Sequence, residues 1–282
     1  MNVDAHVHIL AASLRDRRDE IAAGDAWFAM CHTAQRAIAT ADELFSEMER
    51  AEIDHAVCLG WPFADRALRE ASNEHLAALQ QQHPQRITAF GIVNPASADT
   101  EAELRRCAER GLRGIGELNC DAQQFSLEDD RVAAAATLSV ELGLIWNLHC
   151  SEPVGHDYAG KGTTTPDRVA RFAIRNASLQ LICAHLGGGL PFFAHMPEVA
   201  QLCRRLWFDT AAVPFLYEPS AYRTVAELCG ADRLLFGSDY PLLNADRYRA
   251  ALNATGIDAG SLQLVMGDNA AALLRLASVT ST

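Results

Sequence analysis

Val3-Asp4-Ala5-His6-Val7-His8-Ile9 opens the 282-residue chain with the alternation of a β-strand. A strand sends alternate side chains to the same face, so His6 and His8 project together. Two imidazoles side by side at the end of a strand can bind one transition metal. Taken alone, an HxH pair is a modest signal. Its weight depends on what stands at the ends of the strands that follow.

Short β-rich runs alternate with longer helical patterns down the whole chain. Strands are expected at 3–8, 55–60, 87–93, 112–118, 144–149, 179–185, 206–209 and 234–238. Amphipathic segments lie between them at 41–51, 67–83, 100–110, 128–142, 167–176, 191–204 and 220–229, with further helical patterns at 245–253, 261–266 and 269–277. In 128–142, for example, Val132, Ala135, Ala136, Leu138 and Leu142 fall near helical spacing and Gly143 supplies a C-terminal cap. Ala56-Val57-Cys58-Leu59 and Leu181-Ile182-Cys183-Ala184 are apolar on both faces, as strands of a helix-covered parallel sheet are. Eight strand–helix units over this length indicate an α/β fold, a (β/α)8 TIM barrel, rather than an open doubly wound sheet. No dinucleotide fingerprint follows the first strand, and Gly111-Leu112-Arg113-Gly114-Ile115-Gly116 lies within a later one.

Composition narrows the function classes. Hydrophobic residues make up 49% of the chain, enough for a large core, and no linker, repeat or low-complexity tract divides it. One domain over 1–282 is therefore expected. The formal charge of -12 disfavours a nucleic-acid partner, which selects for clustered cations. Asp4, His6 and His8 interrupt any secretory pattern at the start, and no apolar run is long enough to span a membrane. The eight cysteines are scattered without CxxC spacing, which reads as buried free thiols. A cytoplasmic protein with a small-molecule substrate is the expectation.

Polar residues fall where strands end. The first strand ends in His6 and His8, the fourth in Glu117, the fifth in His149, the sixth in His185, and Asp239 follows the eighth. In a parallel barrel every C-terminal strand end opens on one mouth, so these positions converge. Four imidazoles and two carboxylates form a nitrogen–oxygen set suited to Zn, Mn or Fe. Each has a plainer reading: His149 or His185 as a bonded core histidine, Glu117 as an ion-pair partner, Asp239 as a cap before Pro241. Six such coincidences at one end of the barrel favour a shared metal site.

With these motifs the chain resembles the amidohydrolase superfamily, in the branch of metal-dependent hydrolases and aminocarboxymuconate semialdehyde decarboxylase-like enzymes. The resemblance rests on Asp4-Ala5-His6-Val7-His8, Gly116-Glu117-Leu118, Asn147-Leu148-His149, Ala184-His185-Leu186-Gly187-Gly188 and Phe236-Gly237-Ser238-Asp239-Tyr240-Pro241, and Gly267-Asp268-Asn269-Ala270-Ala271-Ala272-Leu273-Leu274 resembles the family's final helix. It implies a divalent metal, zinc first with Mn or Fe as alternatives, held by His6, His8, His149 and Asp239. A fourth-strand acid resembles the binuclear members, where Glu117 would bridge to a second ion on His149 and His185. Whether one ion or two is bound stays open.

A bound metal lowers the pKa of its water from about 16 towards 7. The resemblance therefore implies a metal-dependent hydrolase acting on a small-molecule lactone, ester or amide, with Asp239 moving the proton and His185 steadying the oxyanion. The closest rival is a non-oxidative decarboxylase, a lyase, of an unsaturated or aromatic carboxylic acid. A nuclease fits the acidic balance poorly, and a catalytically silent metal-binding barrel is the reading from another class. Homo-oligomerisation is a family-level expectation.

The substrate side is fainter. The loop 151–162 offers His156 and Lys161 for an anionic group, or solvated charge only. Gly187-Gly188-Gly189 suits an anion or a tight turn equally. Trp61, Phe63, Phe215 and Tyr217 follow strands two and seven, as an apolar cavity wall or as loop packing. The connection 10–40, with Trp27-Phe28 and Arg15, Arg17 and Arg18, is expected to cover the mouth as a lid.

Overall fold

The computed structural model describes residues 1–33 and 36–276. Eight parallel strands follow one another in sequence order: β1 (Val3–His8), β2 (His55–Leu59), β3 (Ile87–Gly91), β4 (Gly114–Leu118), β5 (Ile145–Leu148), β6 (Leu181–Cys183), β7 (Trp207–Asp209) and β8 (Leu234–Leu235). The ring closes where β1 meets the chain leaving β8. Ala5 N–H donates to the Phe236 carbonyl at 2.7 Å, Asp239 N–H to His6 at 2.9 Å and His8 N–H to Tyr240 at 2.7 Å. The protein is a (β/α)8 barrel.

Most strands carry β-branched or apolar residues on both faces because both are covered. Inside the ring, Val3, Ala5, Val57, Phe90, Ile182 and Leu235 pack together, with Ala270 and Leu274 of the final helix against them. Outside it, residues of the opposite parity, such as Ala56, Cys58 and Ala89, pack into the main core under the helices. The helices begin where their sequences supply caps. Asp65 accepts Leu68 N–H ahead of Arg66–Gln82, Asp129 accepts Arg131 N–H ahead of Asp130–Glu141, and Thr40 with Glu43 forms a capping box on Ala41–Arg50.

Two strands are irregular, and both carry site residues. The register of β1 against β2 shifts between Asp4 and Val7. Val3 and Ala5 face the interior, and past the shift so do His6 and His8, a change of parity that an even strand forbids. The register of β4 against β5 shifts between Ile115 and Leu118, around Glu117. Such bulges re-aim side chains beside active sites.

The helical pattern at 191–204 resolves into a 3-10 turn at Leu190–Phe193 and a helix at Pro197–Cys203. Pro197 holds Met196 in extended backbone, so a single helix cannot run through. The pattern at 261–266 is divided between Ala259–Gln263 and a wider turn at Leu264–Asp268, and the last helix is Asn269–Leu274. Ala277, expected at its end, lies outside the described residues. The connection after β1 holds three short helices, Ala12–Arg15, Arg18–Gly24 and Ala26–Cys31. Its ends are tied by Leu10 N–H to the Ala39 carbonyl at 2.9 Å, and Leu14, Ile21 and Phe28 form a small core of their own with Phe63. All eight cysteines are free thiols, and all but Cys31 are fully buried. Among the described residues no helix is long and apolar enough to cross a membrane.

Gly116 shows how tightly β4 and β5 approach. Its φ is +149°, and a Cβ there would lie 2.5 Å from the Asn147 carbonyl oxygen. Gly116→Ala is expected to cost about 2–4 kcal/mol through backbone strain and overpacking. Urea unfolding checks this, and a stability within 0.5 kcal/mol (about the size of a surface substitution) would show that the two strands can separate.

Candidate metal centre

The barrel mouth gathers all six sequence-predicted ligands into two adjoining groups. In one, ligand atoms of His6, His8 and Asp239 lie within 4.8 Å of one another; in the other, those of Glu117, His149 and His185 do. Glu117 stands between them. Its Oε2 is 3.4 Å from His8 Nε2 and 3.7 Å from His6 Nε2, while Oε1 is 2.9 Å from His149 Nδ1 and 3.0 Å from His185 Nε2. Asp239 Oδ1 lies 3.7 Å from both His6 and His8.

Three of the four rings are held from behind, which decides which nitrogen faces the centre. His6 Nδ1 meets Asp209 Oδ2 at 2.8 Å, His185 Nδ1 the Ala211 carbonyl at 3.0 Å, and His149 Nε2 the Gly160 carbonyl at 3.0 Å. Each rear partner accepts, so each ring donates backwards and turns a lone pair forwards. The forward nitrogens then crowd together: His6 Nε2 to His8 Nε2 is 3.1 Å, and His149 Nδ1 to His185 Nε2 is 3.1 Å. Lone pairs at that separation repel unless a cation or proton lies between them. The donor chemistry fits a divalent metal.

Electrostatics point the same way. Burial works against a charge on His6, yet the Asp209, Glu117 and Asp239 carboxylates outweigh it and push the ring up to about 9. His185 is likewise opposed by burial and raised to about 10 by Glu117, Asp239 and Asp209. Burial would raise the Glu117 carboxyl, but the imidazoles of His149 and His6 hold it well below the usual range. The cluster demands positive charge, which protons supply in the absence of metal and must yield on loading.

Asp209, at the end of β7, is the residue that strand reading passed over. It is fully buried, and besides holding His6 it accepts the His185 backbone N–H at 2.9 Å and Asn147 Nδ2–H at 3.2 Å. One carboxylate thus fixes a ring in the first ligand group and the backbone of the second. That backbone is unusual: His185 has φ +57° and Leu186 φ +52°, left-handed values that non-glycine residues hold only under constraint, and Asp239 of the first group shares the feature at φ +58°. The signal was a seventh strand ending in an acid at the same level as the others.

Above the ligands lies a cavity of 440 Å³. Trp61 stands edge-on to His8 (5.7 Å between centroids, 74°) and Trp27 edge-on to His149 (6.3 Å, 85°). The two indoles flank the ligand groups, with Tyr158 and Phe215 also on the wall. The lid therefore covers the mouth and contributes to the cavity. His156 and Trp61 line it, whereas Lys161 and Tyr217 do not. The Lys161 ammonium donates to the Val154 and His156 carbonyls and so closes its own loop, and Tyr217 packs behind the wall on Phe192. Phe63 is buried in the lid core, and Arg15, Arg17 and Arg18 leave the cavity to Arg36. At Gly188 a Cβ would run into the Ser151 carbonyl, so this glycine serves a close packing of backbones.

A family model described as Amidohydrolase matches residues 3–276. No curated protein sequence matches the chain. Among solved structures, 5-carboxyvanillate decarboxylase from Sphingomonas paucimobilis superposes with a TM-score of 0.80 at 18% identity, over 98% of this chain and 99% of that one. The 5-carboxyvanillate decarboxylase from Novosphingobium aromaticivorans, complexed with manganese and 4-hydroxy-3-methoxy-5-nitrobenzoic acid, gives 0.79 at 18% identity over 98% and 96%. The 2,6-dihydroxybenzoate decarboxylase from Rhizobium gives 0.71 at 20% identity over 98% of each chain. At these identities the likeness speaks for the shared barrel.

Removing the charge behind His6 tests the support of the ligand groups. Asp209→Asn keeps the volume and is expected to weaken metal binding about 10–100-fold. Competition against a chromophoric chelator measures it; wild-type affinity in the variant would remove Asp209 from the centre.

Proposed function

The chain belongs to the amidohydrolase family, and from that membership and the shape of its mouth we propose a metal-dependent lyase that removes CO₂ from a small aromatic or unsaturated carboxylic acid. The observation that carries this reading is the pair of indoles flanking the two ligand groups. Edge-on tryptophans either side of a polar floor suit a flat, apolar ring with a carboxylate at one end. The decarboxylases of like fold, one of them holding manganese beside a nitrobenzoic acid, support the choice.

A substrate carboxylate approaching this floor meets the side-chain carboxyl groups of Glu117 and Asp239, so a cation is needed to hold it there. His6, His8 and Asp239, with Glu117, His149 and His185, would hold zinc or manganese, and such an ion would supply the positive charge that anchors the substrate oxygens. The chain's own part is then to orient and to move a proton. Loss of CO₂ returns an electron pair to the ring carbon, and one proton must reach that carbon to complete the product. The Asp239 carboxyl, at the edge of the first group and on the cavity wall, is placed to carry it. Trp27 and Trp61 fix the ring plane, and the lid excludes bulk water.

Hydrolysis of a lactone, ester or amide is the second reading, favoured by Glu117. Its two oxygens address the two ligand groups separately, the arrangement that a carboxylate shared by two ions requires. Metal-restored protein offered hydroxybenzoates on one side and lactones, esters and amides on the other separates them. CO₂ release, measured by a coupled bicarbonate assay and abolished by chelation, is the expected outcome. Acid release from a lactone, ester or amide without CO₂ would establish the hydrolase instead. In either reaction, Asp239→Asn is expected to fold normally and lose about 10²–10⁴-fold in kcat. A metal-loaded variant turning over like wild type would dismiss Asp239 as the proton carrier.

A further inference from the structure

The lid places an imidazole in the cavity that none of the foregoing chemistry uses. His32 follows the helix Ala26–Cys31 and lines the cavity. Its ring is clamped between aromatics, stacked on Phe28 (4.3 Å between centroids, 21°) and edge-on to Trp61 (4.2 Å, 74°). Trp61 touches His8 in turn, so His32 sits one indole away from the ligand groups.

The two nitrogens of His32 are not equivalent. Nδ1 is buried and makes no hydrogen bond among the described residues. Nε2 is neither buried away nor bonded to any described residue, which leaves it to the cavity. Burial pushes the ring down to about 3, with the charges of His8, Arg18 and Arg36 acting in the same direction. The imidazole is therefore neutral, with one proton for two nitrogens. Whichever nitrogen carries it, Nε2 is left to exchange a hydrogen bond with a group in the substrate space. A polar side chain clamped among aromatics with no partner among the described residues gives up its hydrogen bonds unless a ligand restores one.

We infer that His32 is a specificity-determining residue, exchanging through Nε2 a hydrogen bond with a hydroxyl carried by the substrate ring. The inference rests on the aromatic-acid reading above and narrows it to hydroxylated acids. Because the lid carries the contact, a matching substrate would also help to hold the lid closed. The alternative, that His32 only fills space on Phe28 and Trp61, predicts that phenylalanine serves as well.

Calorimetric titration of the metal-loaded protein tests this with two probes, benzoate and the tightest-binding member of a hydroxybenzoate series. His32→Phe keeps the stacking and removes both nitrogens; His32→Gln restores a hydrogen-bonding group. The expected result is at least a tenfold weaker Kd for the hydroxylated acid in His32→Phe, less than a twofold change for benzoate, and partial recovery in His32→Gln. Metal content by elemental analysis should be unchanged in both variants. Equal affinities for wild type and His32→Phe, or equal losses for both acids, would overturn the inference and leave the aromatic-acid reading standing. Wild-type protein that binds neither acid overturns both.

Discussion

A carboxylate enclosed by imidazoles is the interaction on which this molecule depends. Glu117 is buried at the mouth of the barrel with histidine nitrogens against each of its oxygens, two on one side and two on the other. Such a cluster is costly to take out of water unless its charges balance. With Asp209 and Asp239 added, negative charge exceeds what neutral imidazoles can answer. Protons answer it in the metal-free state, and that is why His6 and His185 hold theirs so far above the ordinary range. A divalent cation answers it better, since it also satisfies the lone pairs turned to the centre.

The barrel supplies the convergence, and departures from its regularity supply the aim. An even β1 could not send Ala5 and His6 to the same interior, nor could an even β4 present Glu117 as it stands. The register shifts in β1 and β4 do this locally while the rest of each strand keeps its ladder. On the far side, Asp209 braces the left-handed turn at His185 and the ring of His6 together. The site is thus a property of several strand ends held in mutual register by buried hydrogen bonds. The lid has its own small core and closes over this floor as a separate layer.

Much of this was legible in the amino-acid order. Period-two and apolar runs mark strands because both faces of a parallel sheet are covered, and the polar residues that end those runs stand out against them. His6, His8, Glu117, His149, His185 and Asp239 were visible for that reason. Asp209 carried the same mark, but a lone acid after Trp207-Phe208 is also what an ordinary strand end looks like. Lys161 and Tyr217 lie off this cavity, a placement the amino-acid order could not supply because loop residues have no periodicity to orient them and a lysine can spend its charge on neighbouring carbonyls. His32 gave no signal at all. Its neighbours Phe28 and Trp61 come from different segments, and their meeting depends on how the lid folds back.

The central claim is that these side chains surround a metal. Anomalous scattering from crystals grown with manganese, recorded at an energy where that ion scatters strongly, tests it without reference to any substrate. The expected map has its strongest peak at the barrel mouth, within coordination distance of His6, His8 and Asp239, with or without a second peak on the far side of Glu117. A metal-soaked crystal whose mouth shows no anomalous signal, while the six side chains keep the positions described, would contradict it.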